Sequence, residues 1–102
     1  MRDFRVRVEP LLFQFEELIE RGEYFSAHEV LEEEWRRSSK GSLERKLLQG
    51  LINGAVALEL KRRGRGSWER IWRVYLNYSG GFPDWPQLKR VCQLMEERIG
   101  RE

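Results

Sequence analysis

Gly22–Trp35, GEYFSAHEVLEEEW, is the stretch around which the chain organises. At 100° per residue, Tyr24, Ala27, His28, Leu31 and Trp35 fall on one stripe of a helix. Glu32 lies on the edge of that stripe, one turn after His28, and Glu29 and Glu33 lie further round. The stripe holds the only histidine of the chain. An imidazole on a core-facing stripe needs a partner, because buried polar groups are paired. Gly22 stops the helix before it, and a connection of two or three residues makes the two helices antiparallel neighbours.

Upstream, Val8-Glu9-Pro10 reads as a helix start with proline in the first turn. Val8 is expected to pack on Phe13 as a hydrophobic staple. Leu11, Leu12, Phe15, Leu18 and Ile19 then keep the helical period. FRVRV, at residues 4–8, is the nearest approach to a strand pattern. Downstream, helix 2 runs from about Tyr24 to Arg37. Residues 38–41 form a loop, and Ser42 is an N-cap candidate for helix 3. Helix 3 extends to about Arg63 and is apolar nearly all round, the mark of a central helix. Gly50 and Gly54 sit one turn apart in it, each costing roughly 1 kcal/mol of helix propensity. They predict close approach of a neighbour, expected to be helix 2 through Trp35 or Tyr24. Helix 4 follows Gly64-Arg65-Gly66 with Ser67 as its cap. Helix 5 follows an Asp84/Gln87 capping box and ends near Ile99-Gly100. The predicted fold is all-α, with residues 1–102 as one domain. It is a compact five-helix bundle, orthogonal or irregular, around a buried helix 3.

The 102 residues are 40% hydrophobic and 35% charged, which suits a folded chain. No apolar run is long enough to span a bilayer, and residues 1–10 lack the apolar core of a signal peptide. With Cys92 alone no internal disulfide can form, and a cytoplasmic setting is expected. Residues 1–40 carry seven basic and ten acidic side chains, residues 41–102 twelve and seven. The Lys61-Arg62-Arg63-Gly64-Arg65 run, with Arg70, Arg73, Trp68, Trp72 and Tyr75, could meet phosphates and bases. Basic residues at a helix C-terminus and aromatics at helical spacing have simpler roles, however. A net charge of +2 also falls short of a nucleic-acid-binding domain. Nucleic acid and membrane are therefore not expected as partners.

His28, Glu29 and Glu32 are the candidates for chemistry. His28 with Glu32 at i+4 can share a metal ion. The pattern is neither H-E-x-x-H nor the Glu-x-x-His of di-iron bundles, and a third ligand would have to be Glu29, Glu33 or Glu59. As general base, His28 could be oriented by Glu32. Against both stands a non-catalytic reading. His28, Glu29, Glu32, Glu33, Gln49 and Asn53 would form a polar seam between helices 2 and 3, beside a groove floored by Trp35. That seam would bind a small ligand or a protein partner, with a homodimer among the options. The alternative is a hydrolase-like enzyme using His28 with Glu29 and Glu32. No cofactor is named by these residues.

The spacing F-x-x-x-x-x-x-G-E-Y-F-x-A-H-E-V-L-E-E-x-W from Phe15, with L-L-Q-G-L-I-x-x-A-V-A-L from Leu47, resembles the domain of unknown function 309 family. The signature H-E-x-x-E-x-x-W falls on His28, Glu29, Glu32 and Trp35, and the resemblance spans roughly residues 13–99. It implies a compact all-helical fold and no established activity. It also implies, in many members, a histidine near the end of helix 3, where this chain has Glu59-Leu60-Lys61.

Overall fold

Four amphipathic stretches and one apolar nearly all round become five helices in a computed structural model that describes residues 2–102. They are α1 Arg2–Glu20, α2 Tyr24–Arg37, α3 Leu43–Arg62, α4 Trp68–Ser79 and α5 Pro86–Arg101. No strand occurs among the described residues. The helix α3 lies at the centre and packs against α4, α2 and α5, while α1 closes the far side against α2 and α5. Half of α3 is buried, from Leu47 to Glu59, as expected of a helix apolar all round. No helix among the described residues is long and apolar enough to cross a membrane.

The turns follow from local chemistry. Gly22 takes a left-handed φ of 77°. Its N–H donates to the Ile19 carbonyl, and that of Glu23 donates to the Leu18 carbonyl. These two bonds are a Schellman ending. Gly64 repeats it, with Gly64 N–H on Lys61 and Arg65 N–H on Leu60. The Ser42 hydroxyl caps α3 by accepting the Arg45 N–H at 3.1 Å.

Three local expectations fail for tertiary reasons. The first helix starts at Arg2, with Pro10 inside it. Phe4 and Val8 are buried and extend the stripe of Leu12, Phe15 and Ile19. Their burial outweighs a proline penalty of about 3 kcal/mol. The carbonyl that Pro10 deprives of a donor belongs to Val6, on the exposed face, where water can serve it. Phe13 is exposed, so the staple with Val8 does not form. The Asp84/Gln87 capping box is also absent. Asp84 instead pairs with Lys89 at 2.6 Å, and the buried Gln87 amide donates to the Glu9 carbonyl of α1 at 3.1 Å. Trp85 takes the cap position, with Pro86 opening α5. Ser67 precedes α4 without a side-chain capping bond.

The glycines of α3 do not face α2. A Cβ on Gly50 would meet Tyr78 of α4 and Phe82 of the following loop, and one on Gly54 would meet Tyr75 of α4 and Met95 of α5. Tyrosines of α4 therefore fill the room, rather than Trp35 or Tyr24.

Tyr24 is fully buried, and its hydroxyl donates to the Glu102 carboxylate, joining α2 to the end of α5. The Lys61 ammonium fastens the same end by donating to the Ile99 carbonyl at 2.6 Å. Burial first, and then Glu102, push the Tyr24 phenol up to about 12, against a smaller opposite pull from Arg98. The folded chain thus keeps a proton that the unfolded chain releases near pH 10, roughly the ordinary tyrosine value. This contribution is intact below about pH 10 and is lost as the pH rises toward about 12. Burial raises Tyr75 as well, so it adds a loss of the same sign. Urea midpoints taken at about pH 9, 10 and 11 should fall in the wild type and fall less in Tyr24→Phe. Identical slopes in the two proteins would mean that Tyr24 titrates alike folded and unfolded.

Candidate functional site

The α2 stripe divides once it is packed. Tyr24, Ala27 and Leu31 are fully buried, while the His28 side chain keeps 15% exposure at the edge. The nearest wall opposite is α3, whose Val56, Glu59 and Leu60, with the C-cap Arg63, recur at i, i+3, i+4 and i+7 on one face. Between them lies a cleft of about 220 Å³ lined by Phe25, His28, Val56, Glu59, Leu60 and Arg63.

His28 Nδ1 lies 2.5 Å from the Phe25 carbonyl oxygen. A carbonyl oxygen only accepts, so Nδ1 carries the proton. Nε2 faces α2's next turn, 3.6 Å from Glu32 Oε1. The Phe25 ring meets the imidazole edge-on, centroids 4.8 Å apart. Phe25 itself is 55% exposed and borders the cleft.

Glu59 is the buried carboxylate of the cleft. Its oxygens accept from Arg62 at 2.7–3.0 Å and from Arg63 at 2.5 Å. Burial alone would raise the Glu59 carboxyl, but the hydrogen bonds and charges of Arg62 and Arg63 outweigh it and hold it below the usual carboxylate range. A carboxylate so engaged is a poor third ligand for a metal at His28. Among the described residues no three His, Cys, Asp or Glu side chains converge on one point.

The remaining candidates scatter. Glu29 and Glu33 are exposed, with Glu33 paired to Arg37 at 2.7 Å. Glu32 also accepts from Arg36 at 3.2 Å. Gln49 and Asn53 are half-buried on α3, and no hydrogen bond among those described joins either to His28 or to the α2 glutamates. Gln49 lines a different cleft with Trp35, Arg45 and Tyr78, of about 190 Å³. There the Arg45 guanidinium lies 4.1 Å from the Trp35 ring centroid and donates to the Trp35 and Ser38 carbonyls at 3.0 Å. It closes the C-terminus of α2 as a cation should. The basic run is similarly occupied. Arg62 and Arg63 hold Glu59, and Lys61 holds the Ile99 carbonyl with its ammonium 4.6 Å from the Trp68 ring centroid. Cys92 is half-buried, and burial raises its thiol.

Sequence reasoning missed Phe25, Val56, Leu60 and Arg45. The signal for Phe25 was present, since it lies about 100° off the buried stripe and an aromatic there must face solvent or a cleft. The spacing of Val56, Leu60 and Arg63 carried the other wall. Nothing local joins Arg45 to a ring ten residues earlier. The most buried carboxylate of α2 is Glu34, which pairs across 27 residues with Arg7 at 3.2 Å and was also missed.

The family model described as Domain of unknown function (DUF309) matches residues 12–73, more than half of the chain. The match runs from within α1 to within α4 and includes every residue lining the His28 cleft. It stops short of α5. No curated protein matches the chain, and no solved structure does.

Proposed function

The chain belongs to the domain of unknown function (DUF309) family, and we propose that it is a small helical binding module whose site is the His28 cleft between α2 and α3. One observation carries this reading. An aromatic side chain, Phe25, stands 55% exposed beside a cleft walled by Val56 and Leu60, where exposure costs roughly 1–2 kcal/mol that a bound group would recover. Ligand sites of this kind are mostly apolar with a few placed polar groups. Here those groups are His28 Nε2 and the Glu59–Arg63 pair. At about 220 Å³ the cleft is smaller than a typical cofactor site. It suits one aromatic or branched side chain of a partner, or a small apolar molecule.

Indole is a suitable probe. At the efficiency of small fragments its Kd should be on the order of 1 mM. Proton–carbon NMR should show shifts concentrated on the Phe25 and His28 rings and the Val56 and Leu60 methyls. They should weaken at least about fivefold in Val56→Asp. No shift at ten millimolar indole, or equal shifts in the variant, would overturn the reading.

A hydrolase-like reading rests on one feature, the Phe25 carbonyl that engages His28 Nδ1 and leaves Nε2, beside Glu32, as the nitrogen that would serve as base or metal ligand. It is the weaker of the two, because Glu59 is held by two arginines and Glu29 and Glu33 lie outside the cleft. Zinc titration followed at the His28 ring tests it. Submicromolar binding with loss of Nε2 as a free nitrogen would favour it over the apolar cleft.

A further inference from the structure

Among the described residues nothing covers the outward face of α1. Val6 is 66% exposed and Phe13 59%, and Pro10 between them is exposed too. Taking Val6 as 0°, Pro10 falls at about +40° and Phe13 at about −20°. The three form one stripe over two turns. Single exposed apolar residues need no explanation, but a contiguous patch does. The same stripe is charged at its ends, with opposite signs. Arg2 lies one turn before Val6, at about −40°; Glu17 lies one turn after Phe13, at about +20°, with Glu20 at about −40°. All three are exposed.

A stripe with an arginine at one end, apolar in the middle and two glutamates at the other is complementary to itself only when reversed. Asp3 lies at the stripe's edge, at about +60°, and weakens the basic end. We propose that α1 pairs antiparallel with α1 of a second copy, about a two-fold axis passing between Glu9 and Pro10. In that register Val6 faces Phe13 of the second copy. Arg2 faces Glu17 of the second copy, with Glu20 beside it, and symmetry makes each contact twice. A parallel pair would set Arg2 on Arg2 and Glu17 on Glu17, and is disfavoured. Glu17 now contacts Arg21 at 3.1 Å, but both side chains are mostly exposed, so the carboxylate can change partner at little cost.

Size sets the strength. The chain exposes 6097 Å², and a standard interface takes about 800 Å² of each partner. One helix face offers less, and the two Glu9 carboxylates approach the axis from the edge of the stripe. The pair therefore belongs to the weak class, with a Kd on the order of 10–100 μM. None of these residues lines the His28 cleft, so the two proposals fail independently.

Sedimentation equilibrium from about 5 μM to 1 mM, spanning the expected Kd, tests the pairing. The wild-type mass should climb from 12.3 kDa toward twice that value. Phe13→Glu should remain monomeric throughout with unchanged helix content and Tm, since the site is exposed. Val6→Glu should do the same, and serves if the first variant folds poorly. Arg2→Glu should weaken the pair about three- to tenfold at low salt, and Arg2→Glu/Glu17→Arg should restore it. A wild type that stays monomeric at 1 mM, a dimer that survives both Phe13→Glu and Val6→Glu, or a double reversal that fails to restore association would each overturn the proposal.

Discussion

Gly50→Leu should destabilise the fold by about 3 kcal/mol or more, the upper end for an overpacked core. The first added atom already decides the sign. A Cβ at Gly50 would lie 2.7 Å from the Tyr78 Cβ and 2.8 Å from the Phe82 ring. The Tyr78 Cβ is fixed to the α4 backbone, so relief requires α4 to move away from α3, along the most extensive helix contact in the molecule. Gly54→Ala is the informative contrast. Its Cβ would meet Met95 Sδ at 2.9 Å and the Tyr75 ring at 3.0 Å. The thioether can swing aside, and alanine gains roughly 1 kcal/mol of helix propensity over glycine. Gly54→Ala should therefore stay within about 1 kcal/mol of wild type, whereas Gly50→Ala should cost about 1–2 kcal/mol. Urea unfolding with an unchanged m-value measures all three. A Gly50→Leu protein within about 1 kcal/mol of wild type would show that α4 does not rest on Gly50.

Tyr24→Ala should cost about 3–5 kcal/mol, as for other large aromatic truncations in a core. Total stability for a chain of this size is about 5–15 kcal/mol, so the variant should be partly unfolded at 37 °C if the wild type lies at the low end. Tyr24→Phe separates packing from the hydroxyl. It keeps the ring and loses the bond to Glu102. The Glu102 carboxylate lies at the exposed end of the chain and can turn to water, so the cost should be only about 0.5–1.5 kcal/mol. Thermal unfolding followed by circular dichroism distinguishes the two. Equal losses in both variants would assign the stabilisation to the hydroxyl and the end of α5 rather than to burial of the ring.

The all-helical class, the five helices, the central place of α3 and the bounds of α2 were legible because they depend on chemistry within a turn or two. Gly22 and Gly64 adopt left-handed turns whose carbonyl acceptors lie only a few residues back, and Ser42 caps the helix that begins beside it. The stripe of Tyr24, Ala27 and Leu31 needs only the helical period. His28 was legible as the polar member of that stripe. What the period could not give was the partner of each face. Proline marked a start at Pro10, but burial of Phe4 and Val8 carried α1 eight residues further back. Two glycines announced a close approach, yet glycine has no side chain with which to choose between α2 and α4. The choice fell to Tyr75 and Tyr78, whose rings depend on how α4 is set down. The same holds at the cleft. His28, Phe25 and the α3 residues Val56 and Glu59 are about thirty positions apart, and only packing of α2 on α3 makes them neighbours. Glu34 finds Arg7, and Arg45 finds Trp35, for the same reason. Local hydrogen bonds and hydrophobic period are properties of short segments, and the sequence by itself determined those. The meeting of faces is a property of the whole core, because each contact exists only when every other helix is in place, and the tertiary structure alone decided it.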